Sequence, residues 1–497
     1  MILLQEPESS FDRNGKIKKP VTRYIISTFF FLLLIFPDFA GAQENKIWTL
    51  EECINYALSH NITVQKQILG IDYQQELLLQ NKLNLLPSLN GYASHAYNWG
   101  QRIDPYTNDF ASQRVRSNDF GLQSSINLFS GLQQVNAIKQ SILNVKSAQF
   151  DADYYKDQIA ISVATQYLQT LYYLEYVNIA QNQLDITHQQ VDRTRKLVEA
   201  GTLAKGDLLT IEAQMASEEL ILVEAQNNLS LSYLTLSQLL ELPTVQGFTI
   251  ERPEIGLISK PDLTTPEQIF GVAVSKRPEI KSAETKLESS DKALDIARGG
   301  FYPSLSLTGS IGTGFSGANQ IGENPVWDTI TIGFTENTLE KVKSVDYDFQ
   351  SFKTKAFSDQ LNENRNEYLG LSLRIPLFNG WTTRSEVARA KINVASASLD
   401  LQLQKNTLYK VIQQAYNDAL SASNKNIAAE KKVNATRESF GYAEQKFNIG
   451  LINSVDYNNA KKEFNNAQSE LIQAKYDYVF KITVIDFYLG RPLTLKR

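Results

Sequence analysis

The chain has 497 residues, a formal net charge of −5 and a hydrophobic content of 42%. It has no basic stripe, which argues against nucleic-acid binding. Cys53 is its single cysteine, so an internal disulfide framework is excluded and stability must come from packing or from assembly.

The first 42 residues are organised as a signal peptide. A positive region precedes an apolar run at 24–36, and an A-x-A cleavage pattern ends at Ala42. The apolar run is shorter than the roughly 20 residues that a membrane helix needs, and a short membrane anchor is the alternative. We therefore predict export, with residues 1–42 removed by cleavage near Ala42. Residue 43 is glutamine rather than cysteine, which argues against a lipid-anchored N-terminus.

One sequence pattern occurs twice in the chain. Residues 120–131 (FGLQSSINLFSG) correspond to residues 369–380 (LGLSLRIPLFNG), at a displacement of 249 residues. The same displacement relates three pairs of residues further along, which are Gly201 and Gly450, Asp207 and Asp456, and Pro243 and Pro492. The sequence therefore predicts two copies of one structural unit, at 43–248 and 249–497.

Each predicted unit begins with helical segments and then changes to a strand pattern. Capping boxes, which mark the first turn of a helix, begin at Thr49 and Thr265. The helical patterns end just before Pro87 and Pro303, which are 216 residues apart. We expect these prolines to mark the starts of strands.

Four segments alternate apolar and polar residues, which is typical of strands with one apolar and one polar face. They comprise residues 88–99, 120–129, 304–315 and 369–377. Gly131 and Gly380 are expected where the second strand of each pair ends. Lengths of about ten residues and aromatic ends suit tilted strands that span an outer membrane. A soluble sandwich with its apolar face inward is the alternative.

The second unit has a longer connection between its strands. The displacement between the units grows from 216 to 249 residues, so 33 extra residues lie within about 316–362. This region is predicted to form an enlarged external loop.

A long polar helical tract follows the second strand of each unit, at about 132–200 and 381–449. At 1.5 Å per residue each tract would form a rod on the order of 100 Å long, with heptad spacings typical of coiled coils. Gly201 and Gly450 interrupt these tracts, and a second helix runs back from each glycine. We therefore predict two long antiparallel helical hairpins.

Four strands cannot close a barrel, and open strand edges are not tolerated in lipid. Three copies of the chain would supply twelve strands, enough to enclose a channel, while their helices would form a tube. The physical function would be passage of solutes from the periplasm to the exterior. An exported coiled-coil spacer or adhesin without a channel is the alternative, although it leaves the paired amphipathic strands unexplained.

The sequence lacks motifs for catalysis or cofactor binding. The three histidines, His60, His95 and His188, do not have metal-ligand spacing, and GxSxG, P-loop and HExxH patterns are absent. The GxGxxG match at 312–317 ends a strand pattern and does not open a helix. We expect neither an enzyme nor a bound metal or cofactor, and a soluble periplasmic enzyme is the least favoured interpretation.

The order and spacing of these motifs, over nearly all of the mature chain, resemble those of TolC-type outer-membrane efflux proteins (outer membrane factors). The shared features are Pro-Ser-Leu strand starts at 87–89 and 303–305, Leu-Phe-x-Gly strand ends at 128–131 and 377–380, and the sequence Arg277-Pro-Glu-Ile280. The resemblance implies a mixed, mainly α fold in a homotrimeric channel-tunnel. Four strands per chain would build a twelve-stranded β-barrel, and the antiparallel hairpins would build a periplasmic α-barrel.

The resemblance also implies a location and partners. The protein would lie in outer-membrane lipid with a large periplasmic portion. It would dock a periplasmic adaptor (membrane fusion) protein at its hairpin tips, Gly201 and Thr202 with Gly450 and Leu451. Through the adaptor it would serve an inner-membrane RND, ABC or MFS-type transporter of a tripartite efflux or type I secretion system. The resemblance leaves the cargo open.

A gate at the periplasmic mouth is a further implication of the resemblance. In the family, acidic residues near the hairpin tips hold the channel closed or select cations. Asp207 and Asp456 occupy the matching positions, each six residues after the tip glycine. Asn459 stands where the family has a second ring aspartate. The alternative is that the two aspartates cap the returning helices.

Two positions near the tips depart from the family's pattern. Ile452 stands where a gate arginine would pair with Asp207, and Phe447 replaces a tyrosine that would hydrogen-bond there. The closing bonds of the best-known member are therefore not expected, and Lys205 is the substitute partner for Asp207.

Overall fold

The computed structural model of the chain describes residues 47–111, 114–253 and 264–494, and the predicted signal peptide lies outside them. The elements up to residue 250 are β1 (Ile47–Trp48), α1 (Leu50–His60), α2 (Ile62–Leu83), β2 (Ser88–Asn98), β3 (Arg102–Ile103), β4 (Phe110–Ala111), β5 (Val115–Ser130), α3 (Gln133–Glu199), α4 (Lys205–Leu239) and β6 (Thr249–Ile250). The elements after residue 263 are α5 (Pro266–Lys276), α6 (Pro278–Gly299), β7 (Ser304–Ser316), β8 (Gln320–Phe334), β9 (Lys341–Thr354), α7 (Phe357–Glu363), β10 (Asn366–Arg374), α8 (Thr382–Asn448) and α9 (Ser454–Tyr488).

Corresponding helices of the two halves have equal lengths. α2 and α6 have 22 residues each, α3 and α8 have 67, and α4 and α9 have 35. Equal lengths are what two copies of one unit produce, so the repeat is present in the fold as well as in the sequence. The boundaries of the units at 43–248 and 249–497 stay predictions.

Both predicted capping boxes are confirmed. The Thr49 hydroxyl accepts from the N–H of Glu52 (3.1 Å), and the Glu52 carboxylate accepts from the N–H of Thr49 (3.0 Å). Thr265 and Gln268 make the same reciprocal pair. Two orphan donors of each first turn are thereby satisfied.

Each helical segment that follows a capping box is broken once, at a position that the sequence pattern did not predict. Asn61 is extended between α1 and α2, and its side chain accepts from the N–H of Thr63 (3.0 Å), so that it caps α2. Arg277 is extended between α5 and α6. The cause there is Pro278, because a proline disfavours helical backbone in the residue before it.

The two longest helices run the length of the helical region, on the order of 100 Å at 1.5 Å per residue. α3 with α4 forms hairpin 1, and α8 with α9 forms hairpin 2. Each return helix covers about half of its partner, so the hairpins occupy the half farther from the sheet. Along the nearer half, α2 packs on α3, and α6 packs on both α3 and α8. In the described ranges, no helix is both long enough and apolar enough to cross a membrane.

Two corresponding apolar cores lie where the short helices meet the hairpins. In the first, α1 packs on α3 and α4, and the Tyr167 hydroxyl donates to the backbone carbonyl of Glu251 (2.9 Å). In the second, α5 and α6 pack on α8 and α9. The buried members include Leu50, Cys53, Val163, Leu171, Leu236 and Leu240 in the first core and Ile269, Ile280, Leu408, Ile412, Ile482 and Ile485 in the second.

Four strands form one antiparallel sheet in the order β10–β7–β5–β2. Leu307 lies opposite Leu371 on one face, and the neighbouring Ser306 lies opposite Ser372 on the other. The apolar face carries Leu89, Phe120, Leu122, Ile126, Leu305, Leu307, Ile311, Leu369, Leu371 and Leu373, and the polar face carries Ser94, Gln123, Ser125, Asn127, Ser304, Ser306, Thr308, Ser310, Ser372 and Arg374. The alternation predicted from the sequence is confirmed. β2 and β10 each have an edge without a neighbour among the described strands.

Prolines set one end of several strands. β2 and β7 begin directly after Pro87 and Pro303. β10 ends at Arg374, three residues before the end predicted at 377. The reason is Pro376, whose missing N–H cannot donate to the strand ladder.

Gly131 and Gly380 both lie where the chain turns from the sheet into a long helix. Gly131 follows β5 directly, whereas Gly380 lies six residues after the end of β10. Their φ angles are +62° and +61°, in the region that favours glycine. A Cβ at Gly131 would lie 2.2 Å from the carbonyl oxygen of Gly299, so no larger residue fits there without a shift of backbone.

The enlarged loop of the second half contains regular structure. β8 and β9 pair as an antiparallel hairpin, in which Trp327 lies opposite Tyr347. α7 follows, and its Phe357 ring contacts Phe120 and Phe315 with centroid distances of 6.3 and 5.3 Å. These contacts place α7 against the sheet at the end farthest from the helices.

Candidate functional site

The candidate site lies at the free ends of the two hairpins, where α3 turns into α4 and α8 turns into α9. In both turns an N–H donates to the carbonyl five residues earlier, Thr202 to Leu197 and Leu451 to Lys446, each at 2.9 Å. The glycines before Thr202 and Leu451 have φ angles of +72° and +74°. This geometry is the glycine-dependent C-cap of a helix. The two tips therefore have one backbone design.

Asp207 and Asp456 are each the third residue of their helices, α4 and α9. Neither is the N-cap, since Ala204 and Asn453 hold those positions. The Asn453 side chain accepts from the N–H of Asp456 at 2.8 Å. The alternative that the aspartates cap the returning helices is therefore wrong, although a carboxylate in the first turn is still favourable to the helix dipole.

Asp207 joins the two hairpins. Its carboxylate accepts a hydrogen bond of 2.7 Å from the hydroxyl of Ser454, the buried first residue of α9. Arg193 of α3 donates to the side-chain oxygen of Asn448 at the end of α8, which is a second link. Sequence reasoning missed these partners because a contact between hairpins depends on their relative register. The spacing of residues within one helix does not supply that register.

The other predicted gate residues face outward in the single chain. Asp456 and Asn459 are exposed and three residues apart on α9, so their side chains share one face of the helix. Lys205 is also exposed and makes no ion pair with any residue in the described ranges. The structure therefore places Ser454, and not Lys205, beside Asp207.

Aromatic packing stiffens hairpin 2 near its tip. Phe447 stacks on Tyr457 with a centroid distance of 4.8 Å, and Phe440 contacts both Tyr457 (5.6 Å) and Phe464 (5.8 Å). Burial raises the pKa of Tyr457 to about 12. Phe447 thus packs within hairpin 2, whereas the two links between the hairpins at the tips, Asp207–Ser454 and Arg193–Asn448, are polar.

A family model described as outer membrane efflux protein matches residues 53–241 and 270–491, which is most of the chain. The chain belongs to the outer membrane efflux protein family. Among similar proteins, the outer membrane protein TolC of Escherichia coli (strain K12) is 22% identical over 444 residues, covering 86% of this chain and 80% of TolC.

Two solved structures of similar proteins have the same fold. CusC, whose crystal structures concern transmembrane channel formation, superposes with a TM-score of 0.70 at 17% identity, over 89% of this chain and 92% of CusC. The outer membrane protein VceC of Vibrio cholerae superposes with a TM-score of 0.67 at 17% identity, over 89% of this chain and 96% of VceC. The predicted TolC-type fold is confirmed.

Proposed function

We propose that three copies of this chain form an outer-membrane channel that passively conducts solutes from the periplasm to the exterior. The observation that supports the proposal is the four-stranded sheet, whose two faces differ and whose edge strands lack a neighbour among the described residues. Lipid tolerates no unpaired strand edge, so β10 of one copy has to pair with β2 of the next.

The number of copies follows from the size of the closed sheet. Two copies would give eight strands, whose interior is just wide enough for side chains. Three copies give twelve strands and leave an aqueous lumen. The polar face lines this lumen and the apolar face contacts lipid. A coiled-coil spacer or adhesin would use the long helices but would leave this sheet without a role.

The hairpins lie in the periplasm in this arrangement, and their tips meet the partners. Thr202 and Leu451 are exposed at the tips, as are the neighbouring Gly201, Ile449 and Gly450. An exposed apolar side chain such as Leu451 suits a protein partner. We infer that the tips dock a periplasmic adaptor protein, which connects the channel to an inner-membrane RND, ABC or MFS-type transporter.

Ion conduction by the purified protein in planar bilayers tests the proposed function. We expect stepwise conductance increases as single trimers insert. Natively folded protein that adds no conductance would contradict the proposal.

Asp456 is the residue that we assign to cation selection at the periplasmic mouth, because three symmetry-related carboxylates would surround the axis there. Each carboxylate attracts a cation a few ångströms away by about 1 kcal/mol even in bulk water. Asp456→Asn is therefore expected to lower the cation-to-anion permeability ratio severalfold, measured as a shift of reversal potential under a salt gradient. Asp456→Glu keeps the charge and serves as the control. An unchanged reversal potential in Asp456→Asn would remove Asp456 from the gate.

A further inference from the structure

Two arginines lie on the apolar face of the sheet, at the end farthest from the helices. Arg114 directly precedes β5, and Arg116 is the second residue of that strand. Arg116 lies opposite Tyr97 and four positions before Phe120, so the alternation of the strand puts it on the apolar face. The guanidinium of Arg114 lies 5.1 Å from the ring centre of Tyr97, which places it on the same face. Both arginine side chains are exposed.

Aromatic side chains surround these arginines. The guanidinium of Arg116 lies 4.6 Å from the ring centre of Phe315, and the rings of Tyr97 and Trp99 are 6.3 Å apart. Trp99 is 72% exposed. Exposed Tyr and Trp residues at the end of a membrane strand are typical of the level at which lipid headgroups begin. The rim cluster consists of Tyr97, Trp99, Arg114, Arg116 and Phe315.

The two arginines of the rim cluster lack an anionic partner in the single chain. Neither guanidinium makes an ion pair or a side-chain hydrogen bond with any residue that the structure describes. Stacking on a ring occupies the flat side of a guanidinium and leaves its N–H donors free for an anion. Long arginine side chains near the end of a membrane segment extend to the level of the headgroups. The free donors are therefore positioned where lipids carry their charged groups.

The repeat provides an internal comparison for Arg116. Arg365 lies 249 positions after Arg116, which is the displacement between the two units, and it directly precedes β10. Arg365 donates to the carboxylate of Glu367 (3.0 Å), which is two positions further along and on the same face. The residue that corresponds to Glu367 in the first unit is the neutral Asn118. The second unit thus neutralises its arginine internally, whereas the first unit has two arginines and no neighbouring carboxylate.

The rim cluster is held in place by the packing of α7. Phe315 is buried, and it contacts both the ring of Phe357 (5.3 Å) and the guanidinium of Arg116. The Gln360 side chain of α7 accepts from the N–H of Ser316 and donates to its carbonyl, each at 3.0 Å. These contacts fix the end of β7 beneath Arg116. A site that is ordered before binding loses less entropy when its ligand arrives.

We propose that Arg114 and Arg116 bind a phosphorylated lipid headgroup of the outer leaflet, one on each chain of the channel. Arginine suits this ligand because its planar group can donate two parallel hydrogen bonds to a phosphate. Residues on one face of a strand follow each other at about 7 Å, so both guanidinium groups can reach one headgroup. The acyl chains of the lipid lie along the apolar face. The inference rests on the proposed channel function, which makes this face the lipid-facing one, and it adds the lipid that the outer rim recognises.

Native mass spectrometry of the full-length protein in mild detergent tests the inference. The probe is lipid A with two phosphates, and lipid A without phosphates is the matched control ligand. We expect up to three lipid A molecules to bind each trimer, and the form without phosphates to bind at least about tenfold more weakly, which corresponds to about 1.4 kcal/mol. R114Q/R116Q should weaken the binding of phosphorylated lipid A by the same factor. Inorganic phosphate at the concentration of the lipid should not displace it, because inorganic phosphate has no acyl chains.

R365Q is the control variant, because it removes a positive charge at the corresponding position of the second unit, where the arginine is already paired. Its affinity for lipid A should equal that of the wild type. R116K keeps the charge without the planar group and should bind with intermediate affinity. If R114Q/R116Q does not assemble, R114Q takes its place, with a severalfold loss of affinity expected.

Three results would overturn the inference while a conducting wild-type trimer leaves the channel function standing. They are equal affinities of the wild type for the two forms of lipid A, a loss in R365Q as large as that in R114Q/R116Q, and displacement of lipid A by inorganic phosphate. A wild type that forms no channel would remove the proposed function and the inference with it.

Discussion

Leu371→Arg is expected to abolish assembly in the outer membrane. Leu371 lies on the apolar face of β10, opposite Leu307, and is exposed in the single chain. A lipid-facing arginine near the bilayer midplane costs about 2–4 kcal/mol, and a trimer carries three copies. Outer-membrane fractionation should show the variant absent from the membrane or degraded, whereas the wild type accumulates there.

Ser372→Arg is the matched control for this substitution. Ser372 is the next residue of the same strand and lies on the polar face, opposite Ser306. An arginine there faces the aqueous lumen, so we expect normal assembly and a shift of ion preference towards anions. Equal assembly of both variants, or loss of Ser372→Arg alone, would contradict the assignment of the two faces.

Arg277→Ala is expected to cause a large loss of stability in the helical region. The Arg277 side chain is 6% exposed and lies 3.1 Å from both Asp157 and Glu279. Its guanidinium also lies 4.0 Å from the ring centre of Phe487. Removing one partner of a fully buried ion pair typically costs about 3–5 kcal/mol, because the other charge is left uncompensated. The loss here should be smaller, because the Asp157 and Glu279 side chains are 34% and 17% exposed. Thermal unfolding followed by circular dichroism should show a clear fall in the midpoint.

Two other substitutions define what Arg277 contributes. Arg277→Lys keeps the charge but loses the planar guanidinium, which contacts two carboxylates and an aromatic ring at once. We therefore expect its midpoint of thermal unfolding to lie between those of Arg277→Ala and the wild type. Arg491→Ala removes a 2.8 Å ion pair to Asp486 from an arginine that is 60% exposed, and should change stability by less than about 1 kcal/mol. If Arg277→Ala and Arg491→Ala unfolded at the same temperature, the contacts of Arg277 with Asp157, Glu279 and Phe487 would contribute no more to stability than an exposed ion pair.

The elements that the sequence predicted well are those set by local periodicity and capping. The long helices follow from two polar tracts that contain no proline and almost no glycine. The capping boxes at Thr49 and Thr265 fix two helix starts. The strand faces follow from simple alternation. The end of β10 was mispredicted although its cause, Pro376, is visible in the sequence, because the alternation of apolar residues continues past it to Leu377.

The contacts that the sequence could not predict join elements that are far apart in the chain. Ser454 and Asp207 are separated by 247 positions, and Lys461 and Glu218 by 243. Each pair depends on how hairpin 2 is placed along hairpin 1, which is set by packing near the sheet. Lys205, the partner predicted for Asp207, lies two positions before it on the same helix.

In the proposed channel, one chain supplies one third of a closed membrane sheet. Native mass spectrometry of the protein extracted from outer membranes in mild detergent measures this directly. We expect a particle of three chains that needs detergent to stay in solution. A folded single chain that stays in solution without detergent would contradict the proposed trimeric channel.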